Sequence, residues 1–94
     1  MNSILDAIKQ YPEAFIQTAR SRANTSPSHM NRTNHIKLVN AIREQNWDEV
    51  SEIITNPYYY RAFEGVVHCL GLYGGLEHDQ LYPILMLHEN GMII

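Results

Sequence analysis

Apolar residues recur every three or four positions along most of this 94-residue chain, which is the spacing of one face of a helix. Runs that alternate apolar and polar residues, the mark of a half-buried strand, are absent from the sequence. The pattern therefore predicts an all-α fold, a single small domain over residues 1–94. It is expected to contain about five or six short helices packed as antiparallel helical hairpins. A polar, aperiodic stretch predicts the longest loop, at about residues 21–34.

The clearest predicted hairpin covers residues 34–56. Its first helix is amphipathic and ends near Gln45, and its second helix begins after Asn46. Asn46 is a favourable N-cap, and Glu49 three residues later completes a capping box. Because the connection is so short, the two helices are expected to lie antiparallel.

Prolines set the ends of the other predicted helices. Pro12 predicts either two short helices or one kinked helix near the start of the chain. Pro57 predicts the start of a helix that reaches about Tyr73 and, being apolar nearly all round, lies at the centre. Pro83 is expected in the first turn of the last helix. The apolar residues 92–94 are expected to fold back onto the domain.

The net charge of −3 is divided unevenly along the chain. Residues 1–47 hold six Lys or Arg against three Asp or Glu, a balance of +3, whereas residues 48–94 hold one against seven, a balance of −6. Such a division either steers charged partners or reflects attraction between the two parts of the domain. No apolar run reaches the ~18 residues of a membrane span, and no signal-peptide pattern opens the chain. We therefore expect a cytoplasmic protein without a membrane partner.

The residues that most often carry catalysis lack the spacing that catalysis needs. His68, His78 and His88 are ten residues apart, which is not the spacing of a zinc site. Cys69 lies in an apolar run without a neighbouring base on the same helix face, so an inert thiol is expected. The carboxylates at 48–52 are explained by helix capping. The sequence therefore predicts no catalytic residue, no metal, no cofactor and no enzymatic activity.

A resemblance to a known family covers residues 36–56. The stretch "LVNAIREQNWDEVSEIITN" resembles the helix pair of an ankyrin repeat, although the Thr-Pro-Leu-His opening of that family is missing. The positions that carry the resemblance are Leu38, Ala41 and Ile42 in the first helix and Val50, Ile53 and Ile54 in the second. The resemblance implies a protein-binding scaffold without catalysis.

Aromatic residues favour protein binding as the function. Tyr, Trp and Arg are the residue types that most often anchor interfaces, and the chain has six Tyr and one Trp. Tyr58, Tyr59, Tyr60 and Arg61 occupy the first turn of one predicted helix, where four successive side chains point in four directions. We assign Tyr59 to the core. The predicted partner-binding residues are Tyr58, Tyr60, Arg61 and Trp47.

The preferred function is thus a non-catalytic protein-binding module acting by stoichiometric binding. Its size and charge resemble those of a small inhibitor, an immunity protein or a phage-type antagonist. Self-association into a homodimer is left as an open hypothesis, since exposed aromatic residues also serve contacts between copies of one chain. The alternative is a nucleic-acid-associated regulator that uses the basic segment 20–43. Its predicted nucleic-acid-binding residues are Arg20, Arg22, Arg32, Lys37 and Arg43.

Overall fold

The computed structural model describes residues 1–25 and 29–94, apart from the side chains of His29, Asn31 and Arg61. Within these residues the chain forms seven α-helices and no strand, which confirms the all-α class. The helices are α1 (Ile4–Gln10), α2 (Pro12–Thr25), α3 (His29–Arg43), α4 (Trp47–Thr55), α5 (Pro57–His68), α6 (Leu70–Tyr73) and α7 (His78–Glu89). The expected count of five or six helices is therefore too low.

The helix count rises because the long helix predicted from Pro57 to Tyr73 is divided at Cys69. The backbone of Cys69 has φ −102° and ψ 5°, and its N–H is shared between the carbonyls of Gly65 and Val66, each at 3.2 Å. A shared N–H of this kind is common where a helix ends. At Pro12 the structure forms two helices, α1 and α2, rather than one kinked helix.

The predicted polar loop at 21–34 is wrong over most of its length. Residues 21–25 continue α2 and residues 29–34 begin α3, whereas residues 26–28 lie outside the described residues. The stretch looked like a loop because its buried positions are small or polar, and so show no apolar period. Ala23 is 4% exposed, and Asn34 is 8% exposed.

Aromatic rings from two helices lie at the centre of the core. Phe15 of α2 and Phe63 of α5 stack with their ring centroids 6.4 Å apart, and both side chains are buried. Around them α2 packs along α3, and α3, α4 and α5 pack each against the next. The radius of gyration is 11.8 Å, close to the ~12 Å typical of a compact domain of this length. No helix among the described residues is long and apolar enough to cross a membrane.

The C-terminal residues cap the N-terminus of α1. The N–H of Ile4 donates to the carbonyl of Met92 at 2.8 Å, and the N–H of Leu5 donates to the carbonyl of Ile93 at 2.9 Å. The backbone N–H groups in the first turn of a helix have no hydrogen-bond acceptor inside that helix. The tail therefore supplies acceptors for two N–H groups that would otherwise lack one. The expectation that residues 92–94 fold back is confirmed.

The last helix begins earlier than predicted. α7 starts at His78, so Pro83 lies inside the helix rather than in its first turn. The side-chain carbonyl of Gln80 accepts a hydrogen bond from the backbone N–H of Glu77 at 2.9 Å, which stabilises this early start. Pro83 deprives the carbonyl of Asp79 of its helical donor, and this is tolerated because Asp79 is exposed to water.

Candidate functional site

The three tyrosines lie in the first turn of α5, as predicted. Pro57 is the first helical residue, and the side-chain oxygen of Asn56 accepts a hydrogen bond from the N–H of Tyr58 at 2.9 Å. Proline at this position costs nothing, because the N–H it lacks would have no helical partner. Cap and proline together fix the directions in which the three rings leave the helix.

Tyr58 and Tyr59 leave α5 towards α3. Tyr58 is 60% exposed, and its hydroxyl donates to the sulfur of Met30, itself 55% exposed, at 3.0 Å. Tyr59 is half-buried against the core, as assigned from the sequence, and meets Tyr58 edge to face with ring centroids 5.1 Å apart.

A lysine of α3 holds the hydroxyl of Tyr59. The Nζ of Lys37 donates to this hydroxyl at 3.2 Å and lies 5.1 Å from the centroid of the same ring. The hydrogen bond to Tyr59 is the main cause that holds the pKa of Lys37 above its ordinary value of 10.5, with further contributions from the charges of Tyr59, Glu49 and Glu52. Lys37 thus contacts both the hydroxyl and the ring of Tyr59.

Tyr60 leaves α5 towards α7, where two histidines meet. Its ring stacks on His88 with centroids 6.1 Å apart, and its hydroxyl lies 3.4 Å from His88 Nε2. His88 in turn packs edge to face against His68, 5.5 Å between centroids. Together with Leu85 and Glu89 these residues line an open cleft with a volume of about 560 Å³. We call Met30, Tyr58, Tyr60 and the residues of this cleft the tyrosine face.

Two predicted partner-binding residues are not part of the described tyrosine face. Trp47 is half-buried against the core, with Lys9 Nζ 5.6 Å from its ring centroid. It begins α4 while Tyr58 follows the end of α4, so about 13 Å of helix separates them along its axis. Arg61 belongs to α5, but its side chain lies outside the described part of the structure.

The five predicted nucleic-acid-binding residues divide into three groups. Lys37 contacts Tyr59, as above, and Arg22 packs into the α2–α5 contact. The other three line a groove between α2 and α3 whose volume is about 220 Å³. The residues of this α2–α3 groove are Arg20, Ala23, Asn24, Arg32, Ile36, Val39, Asn40 and Arg43.

Arg22 has a structural role that the sequence did not reveal. Its guanidinium lies over Gly65, where an added Cβ would come within 2.6 Å of Arg22 Cζ. One terminal nitrogen donates to the sulfur of Cys69 at 3.3 Å. The only hint in the sequence was a glycine in the middle of a predicted apolar helix, which indicates the close approach of another group.

The described histidines and carboxylates are spread over several elements. Among the described residues no group of three or more His, Cys, Asp or Glu is placed to hold an ion. His68 and His88 meet across two helices, whereas His78 packs beside Tyr82 with ring centroids 6.2 Å apart. That the protein is not an enzyme stays a prediction.

The segment that resembles an ankyrin helix pair contains a tight turn between α3 and α4. Gln45 has φ 55°, and the N–H groups of Gln45 and Asn46 donate to the carbonyls of Ile42 and Ala41, each at 3.0 Å. These two bonds form a Schellman-type helix end. The side chain of Asn46 then caps α4 by accepting from the N–H of Glu49 at 3.3 Å, as predicted.

No family model matches the chain, and no curated protein or solved structure is significantly similar to it. The likeness of residues 36–56 to an ankyrin repeat stays a prediction.

Proposed function

We propose that this protein is a non-catalytic protein-binding module and that its tyrosine face contacts the partner. One observation carries the proposal: Tyr58 and Tyr60 are exposed, and each ring is already held by a neighbour, Met30 or His88. Ordering side chains at an interface costs roughly 0.5–1.5 kcal/mol for each flexible one. Rings that are fixed before binding avoid much of this cost.

The chemistry of the tyrosine face also suits a protein partner. Tyrosine combines a large apolar ring with a polar tip and is enriched among the residues that dominate binding energy. Methionine adapts its shape to an apolar partner because it is unbranched and polarisable. Exposed Met30 beside exposed Tyr58 therefore gives an anchor together with an adaptable neighbour.

The cleft beside Tyr60 supplies a place for a partner side chain. Its volume of about 560 Å³ is within the roughly 300–1,000 Å³ of ligand-holding clefts. Leu85 provides an apolar wall, while His68, His88 and Glu89 provide groups that form hydrogen bonds. A side chain with an apolar stem and a polar or cationic head matches this lining.

A finer proposal is that the module acts in the cytoplasm as a stoichiometric antagonist, in the manner of a small inhibitor, an immunity protein or a phage-type antagonist. The small size of the domain and its net charge of −3 support it.

The packing of helices as antiparallel hairpins, as in an ankyrin-type scaffold, belongs to the same proposal. It is supported by the residues at 36–56 and by the tight turn at Gln45.

Affinity capture tests the proposal with three forms of the tagged protein: the wild type, the double variant Tyr58→Ala/Tyr60→Ala, and Tyr82→Ala. Tyr82 is a matched control because it is 56% exposed on α7 and contacts His78, outside the tyrosine face. Each form is incubated with a native lysate of the source cells, and captured proteins are quantified by mass spectrometry.

We expect one protein to be captured stoichiometrically by the wild type and by Tyr82→Ala. The double variant should retain at least tenfold less of it, since truncating interface anchors costs about 2 kcal/mol or more each. Capture of nothing but the protein itself, or equal capture by all three forms, would contradict the proposal. Circular dichroism of each form establishes that the fold is intact.

A further inference from the structure

The cleft between α5 and α7, called the α5–α7 cleft from here on, joins aromatic, apolar and acidic side chains. Tyr60 and His68 come from α5, and Leu85, His88 and Glu89 come from α7. Its three rings are in contact, since His88 stacks on Tyr60 and packs edge to face against His68. Leu85 is half-buried, whereas Tyr60 and Glu89 are exposed. The cleft therefore combines a surface of rings with an exposed carboxylate.

The charge around the α5–α7 cleft is negative. Glu89 belongs to the described lining of the cleft, and no Lys or Arg does. Glu64 lies one helical turn from both Tyr60 and His68, and so on the same side of α5. With His taken as neutral, α5 and α7 hold one Arg against three Asp or Glu in the sequence, a balance of −2. The cleft therefore favours a cation over an anion.

Two basic residues contact α5 away from the cleft. Arg22 donates to the sulfur of Cys69 at 3.3 Å, and Lys37 donates to the hydroxyl of Tyr59 at 3.2 Å. Neither residue belongs to the described lining of the cleft. The lining thus keeps its acidic character.

Each part of an arginine side chain has a counterpart in this lining. A guanidinium has five N–H donors and no acceptor, whereas an ionised carboxylate such as that of Glu89 only accepts. Guanidinium also stacks on aromatic rings, and its positive charge is attracted to their faces. The apolar stem of an arginine covers apolar surface while its head stays polar, which suits the half-buried Leu85.

We propose that the α5–α7 cleft binds an arginine side chain of the partner protein. This inference rests on the proposed function, because it names the chemistry of the partner that the tyrosine face contacts. The guanidinium lies against the ring of Tyr60 and donates to the carboxylate of Glu89, while the stem lies on Leu85. Tyr58 and Met30, on the α3 side of the tyrosine face, contact another part of the same partner. The partner segment is therefore basic, opposite in charge to the cleft.

An NMR titration of the full chain with a blocked tripeptide, acetyl-Gly-Arg-Gly-amide, tests the chemistry of the cleft. The methyl signals of Leu85 report on the cleft, and those of Leu72, which is 75% exposed on α6, are the reference. A second peptide carries citrulline, a neutral side chain of nearly the same shape as arginine. Both peptides are measured at about pH 8, above the range in which histidine ordinarily gains a proton, because protonated imidazoles repel guanidinium.

The arginine peptide should move the methyl signals of Leu85 and leave those of Leu72 in place. The citrulline peptide should bind about tenfold more weakly, because it lacks both the charge pair and the attraction of a cation to the rings. Glu89→Gln should weaken binding of the arginine peptide about threefold. Asp79→Asn is the matched control, because it removes an exposed carboxylate of the same helix outside the described lining, and should leave the affinity unchanged.

Three results of the titration would overturn the proposal. They are equal affinity for the two peptides, equal loss of affinity in Glu89→Gln and Asp79→Asn, and no movement of the Leu85 signals with the arginine peptide. The comparison of the two peptides uses the wild-type protein alone, so it does not depend on the folding of any variant.

Affinity capture with Glu89→Gln separates this inference from the proposed function. About threefold less captured protein in Glu89→Gln, with no loss in Asp79→Asn, supports the arginine site. Equal capture by the wild type and Glu89→Gln, with loss in Tyr58→Ala/Tyr60→Ala, overturns the arginine site and leaves the protein-binding proposal intact. Binding of the arginine peptide at Leu85 without any captured protein supports the chemistry of the cleft and contradicts the proposed function.

Discussion

At the scale of single residues, Gly74 shows how the end of one helix fits against another. A Cβ at this position would lie 2.6 Å from the carbonyl oxygen of Leu70 and 2.9 Å from both the carbonyl oxygen of Ala14 and the hydroxyl oxygen of Thr18. The Thr18 hydroxyl donates to that same Ala14 carbonyl at 2.7 Å. The two carbonyl oxygens belong to the backbone of helices, and the Thr18 hydroxyl is hydrogen-bonded to one of them. None of the three atoms can therefore move aside easily. Glycine is required here for space, since its φ of −91° suits any residue.

Gly74→Ala should therefore destabilise the fold by about 1–3 kcal/mol, the usual cost of overpacking. In a domain of this size that lowers Tm by at least about 4 °C. The matched control is Leu72→Ala in α6, the short helix that Gly74 follows, where the side chain is 75% exposed and the expected change is within about 0.5 kcal/mol. Equal melting temperatures for the two variants would show that the α2–α6 contact is looser than described.

The contact between Lys37 and Tyr59 makes a second prediction at this scale. The pKa of Lys37 is raised above 10.5, chiefly by its hydrogen bond to Tyr59. The stabilising effect of a raised pKa is fully present below the unfolded value and is lost as the pH rises through the folded value. The contact should therefore persist at neutral pH and weaken only in alkali above about pH 10.5.

Tyr59→Phe should move the pKa of Lys37 back down towards 10.5, because it removes the main cause of the shift. An NMR titration of the lysine side-chain resonances measures this directly. Tyr58→Phe is the control, since that hydroxyl contacts Met30 and not Lys37. A pKa that stays raised in Tyr59→Phe and falls in Tyr58→Phe would contradict the assignment of the hydrogen bond.

At the scale of elements, the C-terminal tail acts as the cap of α1. The two carbonyls at Met92 and Ile93 accept from the N–H groups of Ile4 and Leu5. Ile4 is fully buried, so its N–H has no access to water as a substitute partner. Side-chain capping adds to this, because the Ser3 hydroxyl oxygen accepts from the N–H of Asp6 at 3.1 Å. The first helix is thus tied to the far end of the described chain.

Truncation after Gly91 should destabilise the protein by about 2–3 kcal/mol. Two hydrogen bonds contribute roughly 0.5–1.5 kcal/mol each, and burial of part of Ile93 adds to them. Urea unfolding monitored by circular dichroism measures the loss. Ile94→Ala is the control, because that side chain is 62% exposed and should matter little. A truncated protein as stable as the full chain would show that α1 does not depend on the tail.

Element boundaries were predictable where a residue acts on its own neighbours. Asn46 and Pro57 each begin a helix as expected, because capping and a fixed φ are local effects. Residues 21–25 were missed, because their helix is stabilised by packing on α3 rather than by an apolar period. The break at Cys69 was missed for a similar reason. Gly71 beside it lies so close to Leu81 of α7 that an added Cβ would be 2.8 Å away, a contact between elements that the sequence does not display.

At the scale of the whole molecule, the surfaces were predictable only in part. The sequence identified Tyr58 and Tyr60 as exposed because they lie to either side of the core-facing stripe of α5. It could not show that His68 and His88, twenty residues apart, would join Tyr60 in one cleft, since that depends on how α5 meets α7. For the same reason it grouped five basic residues that the fold separates. In the described part of the chain, the tyrosine face and the α2–α3 groove share no residue.

Site-specific photo-crosslinking shows whether the tyrosine face binds another protein. The photoreactive residue p-benzoylphenylalanine replaces Tyr58 in one form and Tyr82 in another, and each form is illuminated in native lysate. We expect one light-dependent adduct with a single foreign protein from position 58 and none from position 82. An adduct of equal yield from both positions, an adduct only with a second copy of this chain, or no adduct from position 58 would contradict it.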